Sequence, residues 1–190
     1  MRIVGGVWSG RQIAAPPGRD TRPTTDRVRE AWMSAVAPWL ADASVLDLFA
    51  GSGALGLEAL SRGASRAVFV ETGGKALQSL RANLASLEVN TSSTSVLPVD
   101  AIRHVASLRP FEYDLAFADP PYEQGFATRL VELWSASPFA RILCIEHSPH
   151  ERLGGVTPAR EKRYGDTMLT FLMADPEVDP DLTTHGAHER

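Results

Sequence analysis

A chain of 190 residues that is 44% hydrophobic is long enough for one domain with a full core and at most a small extension. No apolar run approaches the roughly 18–20 residues that cross a bilayer, no apolar segment follows Arg2 as in a signal peptide, and a single cysteine, Cys144, excludes an intrachain disulfide, so a cytoplasmic location is expected. The net charge of −4 excludes a strongly basic chain, yet six arginines face three acids in residues 1–30, while five acids face one arginine in residues 174–190.

Residues 1–25 read as an N-terminal hairpin or arm. Ile3-Val4 and Gln12-Ile13 flank the glycine-rich Gly5-Gly6-Val7-Trp8-Ser9-Gly10, and Pro16-Pro17-Gly18 breaks regular structure. Thr21-Arg22-Pro23-Thr24-Thr25-Asp26 leads into a helix that Thr25 or Asp26 can cap. Val28, Ala31, Trp32, Ala35 and Val36 give that helix one apolar face, with Arg27 and Arg29 pointing away from it, and Pro38 ends it. Arginine, with its planar fork of donors, suits phosphate and base contacts better than lysine does. Arg11, Arg22, Arg27 and Arg29, with Thr24 among them, are the candidates for such contacts.

Strands and helices then alternate. Strands are expected at 44–49, 66–71, 95–99, 114–118 and 141–146, with Pro98 weakening the third. Helices are expected at 54–62, 75–87, 101–108 and 128–136, and an antiparallel pair at 161–173 turning at Gly165-Asp166. This alternation implies an α/β fold with a parallel sheet covered on both faces. The main domain spans 26–174, and the acidic residues 175–190 are expected to be disordered. Cys144 lies in an apolar run and reads as a buried structural thiol. His147 and His150 flank Pro149 without other ligands nearby, so no metal is expected.

Gly51-Ser52-Gly53-Ala54-Leu55-Gly56 has the G-x-G-x-x-G spacing, between a strand and a helix. Gly51 allows the turn, Gly53 removes a Cβ near a ligand, and Gly56 allows close helix–sheet packing. Asp47, Glu71 and Asp100 fall at the carboxyl ends of three successive strands, where open α/β sheets bind ligands. Glu71 suits ribose hydroxyls and Asp100 an adenine amino group. Phe49, Ala50, Ser52 and Ala101 complete the predicted cofactor set. NAD and S-adenosylmethionine both fit. Asp47, four residues before Gly51, opposes a pyrophosphate and favours the cofactor carrying a sulfonium and an ammonium.

Asp119-Pro120-Pro121-Tyr122 closes the fourth strand. Proline fixes its own φ and restricts the residue before it. The Asp119 carboxylate and the Pro120 carbonyl can thus aim at one point and accept both protons of an exocyclic amine, with Tyr122 stacked on the ring that carries it. Such a pocket serves to methylate an exocyclic amine on a base, such as adenine N6 in DNA or RNA, or alternatively a glutamine amide. A non-catalytic RNA-binding protein of the same fold is the reading from another class.

Residues 47–64, Asp119-Pro120-Pro121-Tyr122, Ile3-Val4-Gly5-Gly6, Gly10-Arg11, the stretch 21–30 and the hairpin 163–167 together resemble the bacterial 16S rRNA guanine-N2 methyltransferases, a family of class I methyltransferases. The resemblance covers residues 2–173. It implies a Rossmann-like, mostly parallel seven-stranded sheet with an antiparallel last strand, S-adenosylmethionine as methyl donor, and an arginine-rich arm that holds RNA. It further implies a guanine of 16S rRNA as substrate; the weak net charge points to RNA within a 30S subunit rather than naked RNA, and a monomer without a metal or a membrane is expected.

Overall fold

The computed structural model describes residues 1–16, 26–122 and 124–174. The expected acidic tail, Arg22, Thr24 and the domain boundary at residue 25 lie outside the described residues. Within them, α1 (Asp26–Val36) precedes β1 (Ser44–Leu48), α2 (Ala54–Ser61), β2 (Arg66–Val70), α3 (Gly74–Ser86), β3 (Thr94–Leu97) and α4 (Ala101–Val105). There follow β4 (Tyr113–Ala118), α5 (Phe126–Ala136), β5 (Ala140–His147), β6 (Arg160–Tyr164) and β7 (Thr167–Met173). The strands form one sheet of order β3-β2-β1-β4-β5-β7-β6. Strands β1 to β5 run parallel, and β7 pairs antiparallel with both β5 and β6. This is the class I methyltransferase arrangement expected from the sequence. The third strand stops at Leu97, one residue before Pro98, because proline has no N–H for the ladder.

The parallel strands are apolar on both sides because both sides are covered. Val45, Leu115, Phe117, Ile142 and Cys144 join the core under α1, α2 and α3. Leu46, Leu48, Ala116, Leu143 and Ile145 join the core under α4 and α5. Cys144 is buried, which pushes its thiol pKa up and leaves it inert. The order reverses between β1 and β4, which opens a crevice at their carboxyl ends.

The buried stripe of α1 differs from the expected one. Arg29, Trp32, Met33 and Val36 are buried along with Val28, while Ala31 and Ala35 are only half-buried. Positions 29, 32, 33 and 36 follow the same helical spacing, shifted by one residue. Arg29 therefore does not point outward for RNA contact. It is 1% exposed, and its Nη2 donates to the Arg2 carbonyl at 2.7 Å. Its long stem follows the apolar stripe while its head ties α1 to the N-terminal hairpin. Arg27 is exposed as expected.

Residues 1–13 form the predicted hairpin, with Arg2 bridged to Gln12. It is bonded into the domain rather than standing off it. The Val4 and Gly5 amides donate to the Glu58 carboxylate at 2.8 and 2.7 Å. The Val7 amide donates to the Ser61 carbonyl at 2.7 Å, and Ile3 and Ile13 enter the core. Gly6 has φ +79°, and a Cβ there would overlap the Ser61 carbonyl. Its glycine thus serves a close approach of hairpin to helix.

Candidate active site

The glycine loop after β1 is built from left-handed backbone. Phe49, Gly51 and Gly53 have φ of 56°, 57° and 79°. Phenylalanine rarely adopts that conformation. Its ring is held by Phe126, with centroids 5.2 Å apart. Gly56 performs its expected role, since a Cβ there would strike the Phe69 ring. Gly53 does not face open ligand space: a Cβ would meet Leu80 of α3 and Phe69. Its glycine is required by φ and by the approach of α3.

The predicted acids hold this loop in shape. Glu71 accepts from the Gly51 amide at 2.8 Å through one oxygen and from the Gly73 amide at 2.6 Å through the other. It thereby clamps the first glycine turn to the start of α3, where no side chain caps the helix. Asp47 is buried and accepts from the Gly56 amide at 2.9 Å, at the start of α2. Burial, with the nearby charges of Asp119 and Glu71, raises its pKa well above the usual carboxylate range, against the Gly56 hydrogen bond. Asp100 is exposed and caps α4 by accepting from the Arg103 amide at 2.8 Å. Ala101 is buried beside it as the first residue of that helix.

Asn83 was not singled out from the sequence. It is buried in α3 and donates to the carbonyls of Ser52 and Ala14 at 2.9 and 3.0 Å, while its own oxygen accepts from the Ala14 amide at 2.7 Å. With Ser79, it is one of two polar residues among the buried positions of α3, and an amide there is the available signal. Arg11, a predicted RNA contact, donates to the Ser86 carbonyl at the end of the same helix at 2.6 Å.

Across the crevice, Asp119 is half-buried and Pro120 buried, with Pro121 and Tyr122 half-buried. The Tyr122 hydroxyl donates to Glu146 at 2.8 Å and lies 2.9 Å from the Thr167 hydroxyl. Burial raises the Tyr122 pKa further above its usual range. Glu146 is 6% exposed. Burial first, and the Asp119 charge second, raise its pKa to about 7. Its second oxygen and the neighbouring Trp32 Nε1 have no hydrogen-bond partner among the described residues; the indole lies near the carboxylate without closing a bond. Glu146 escaped the sequence reading although it ends a strand, as Asp47 and Asp119 do. The crevice thus gathers Asp47, Phe49 to Gly53, Glu71, Asp119, Tyr122 and Glu146, with Asp100 at its outer edge. Among the described residues no group of His, Cys, Asp and Glu has metal-binding geometry, and no helix is long and apolar enough to cross a membrane.

The family model described as "Conserved hypothetical protein 95" matches residues 1–173. The chain belongs to this family. It is 36% identical over 176 residues to the Bacillus subtilis protein named "Putative rRNA methyltransferase YlbH", covering 88% of this chain and 95% of that one. It is 41% identical over 133 residues to "Ribosomal RNA small subunit methyltransferase D" of Escherichia coli K12, covering 70% of this chain and 66% of that one. The solved structure described as "Putative methyltransferase yhhF from Escherichia coli" superposes with a TM-score of 0.78 at 35% identity, over 90% of this chain and 96% of that one. Membership of the family agrees with the resemblance read from residues 47–64 and 119–122.

Proposed function

We propose that the protein transfers a methyl group from S-adenosylmethionine to the exocyclic N2 of a guanine in 16S rRNA, acting as a monomer in the cytoplasm on the small ribosomal subunit. The observation that carries this reading is the position of Asp119-Pro120-Pro121-Tyr122 directly across the crevice from the left-handed loop 49–53. The reading agrees with the names of the relatives from Bacillus subtilis and Escherichia coli.

S-adenosylmethionine supplies a methyl group on a positively charged sulfur. The residues around the loop fit it. Asp47 feels the charges of Asp119 and Glu71, so the crevice is a negative environment that favours a cation. Glu71 follows β2 and Asp100 lies just beyond β3, its neighbour in the sheet, and Glu71 retains acceptor capacity beside its two amide bonds.

The chain's own residues act mainly by orientation. A guanine amino nitrogen is a poor nucleophile because its lone pair is delocalised into the ring. Asp119 and the Pro120 carbonyl accept its two N–H bonds, which turns the lone pair toward the methyl group and fixes a line of attack. Tyr122 stacks on the base once it is splayed from the RNA. The shared grip of Glu146 and Thr167 on its hydroxyl fixes the ring plane. Asp119 need not be a strong base, because the nitrogen proton becomes acidic only after alkylation. Arg11 and Arg27 are exposed and remain candidates for phosphate contact, while Arg29 is withdrawn.

The test is radiolabelled methyl transfer to 30S particles from a strain lacking the corresponding gene, followed by nucleoside digestion. Label in N2-methylguanosine is expected. Label in N6-methyladenosine instead would overturn the substrate assignment.

A further inference from the structure

The β6 edge strand is the part of the domain that no role described above accounts for. Arg160, Glu161, Lys162 and Arg163 are all exposed. Their faces follow from the register. Arg160, Lys162 and Tyr164 pair with Phe171, Leu169 and Thr167, whereas Glu161 and Arg163 pair with Thr170 and Met168. Phe171 and Leu169 belong to the core under α1, and the Thr167 hydroxyl lies 2.9 Å from that of Tyr122. Arg160, Lys162 and Tyr164 therefore share the sheet face that carries Thr167, Glu146 and Asp119. Glu161 is turned to the opposite face, where its carboxylate accepts from the Thr170 hydroxyl at 3.0 Å. The two cations on the active-site side are thus not offset by an acid of their own strand on that side. Lys162 Nζ sits 5.3 Å from the centroid of the Tyr164 ring, which places cation and aromatic together.

We propose that the Arg160–Lys162–Tyr164 face of β6 binds the single-stranded RNA that flanks the target nucleotide. This rests on the reading of Asp119–Tyr122 as the base pocket. β6 lies two strand spacings from β5, roughly 10 Å, a span that one or two nucleotides cover. A base lodged at Tyr122 sends its neighbours across Thr167 toward Tyr164. There an aromatic surface and two cations offer what single strands take: stacking for a base and positive charge for phosphates. Arg27 adds a cation on α1, the helix whose Trp32 packs against Phe171 of the same face. Charged edge strands also prevent edge-to-edge pairing of sheets. That role requires charge on the strand but is indifferent to the face, whereas RNA binding requires the face of Thr167.

The test uses the full chain with Arg160→Gln/Lys162→Gln and, as the opposite-face control, Arg163→Gln. Binding of a fluorescent single-stranded oligoribonucleotide is followed against salt concentration. This readout does not depend on which atom is methylated. Loss of two phosphate contacts lowers the slope of log affinity against log salt by about 1.4, and Arg163→Gln leaves it unchanged. On 30S particles the double variant raises KM about 10-fold at constant kcat and unchanged S-adenosylmethionine affinity. Equal slopes for the double variant and the parent overturn the proposal, as does an equal loss in Arg163→Gln. Self-association of the double variant with unaltered RNA affinity also overturns it and assigns the charges to edge protection. If the parent methylates no guanine but the oligonucleotide slopes behave as expected, the substrate reading fails and this surface stands.

Discussion

The two sides of the crevice use carboxylates in opposite ways. On the glycine-loop side, Glu71 and Asp47 accept from backbone amides of Gly51, Gly73 and Gly56. They fix the loop before any ligand arrives. On the side of the Asp-Pro-Pro-Tyr turn, Glu146 binds side-chain hydroxyls, and its other oxygen and the Trp32 indole lack partners among the described residues. A loop saturated by its own acids suits a cofactor that must bind the same way every turnover. A pocket with strained protonation and unspent polar capacity suits a transient visitor, at a cost in stability.

The largest effect should separate the two sides by chemistry. Asp119→Ala should cut methyl transfer by at least two orders of magnitude, about 3 kcal/mol of transition-state stabilisation, while leaving S-adenosylmethionine affinity near the parent value. Single-turnover methylation and calorimetry read the two quantities. Full activity, or lost cofactor binding, breaks the division between the sides.

Glu146→Gln tests the cost. The native pKa of Glu146, about 7, lies above its usual 4.5, so the folded protein holds the proton more tightly than the unfolded chain. The Glu146 contribution to stability therefore falls as pH rises from about 4.5 to 7 and stays low above that. Glu146→Gln should remove this slope and raise stability above pH 7 by up to about 3 kcal/mol, while lowering activity because Tyr122 loses its charged acceptor. Tm measured against pH for both proteins decides the point. Parallel curves would mean that Glu146 carries no such cost.

Glu71→Ala should act on the opposite side and more modestly. It leaves two amides without their acceptor, at about 1 kcal/mol or more each, and should weaken S-adenosylmethionine binding about 10-fold. Chemical denaturation and calorimetry should both register the change. Unaltered cofactor affinity with lowered stability would restrict Glu71 to a structural clamp.

Much of this was legible in the sequence, for local reasons. Alternating apolar strands, helix-breaking glycines and acids at strand ends are short-range signals, and they placed β1 to β5, the loop 49–53 and the Asp119 turn. The expected stripe misses Arg29 because two overlapping helical stripes differ by one residue, and only the packing of Trp32 and Met33 into the core, with Arg29 on the Arg2 carbonyl, selects between them. Gly53 was given to the ligand because sequence shows a missing Cβ but not that Leu80 fills the space. Glu146 and Asn83 matter through Tyr122, Thr167 and Ala14, which are 21 to 69 residues away, and no local pattern announces such partners.

The hairpin's anchors also set the order in which the chain can acquire its structure. Val4, Gly5 and Trp8 reach residues 53 or 54 positions ahead, and Ala14 reaches Asn83 across 69. The hairpin, made before α2 and α3, must therefore wait for them before it can dock, and it closes long loops when it does. Substitutions in the hairpin should accelerate unfolding with little effect on the folding rate. The region that would lie near the RNA then settles only after the two helices it docks on.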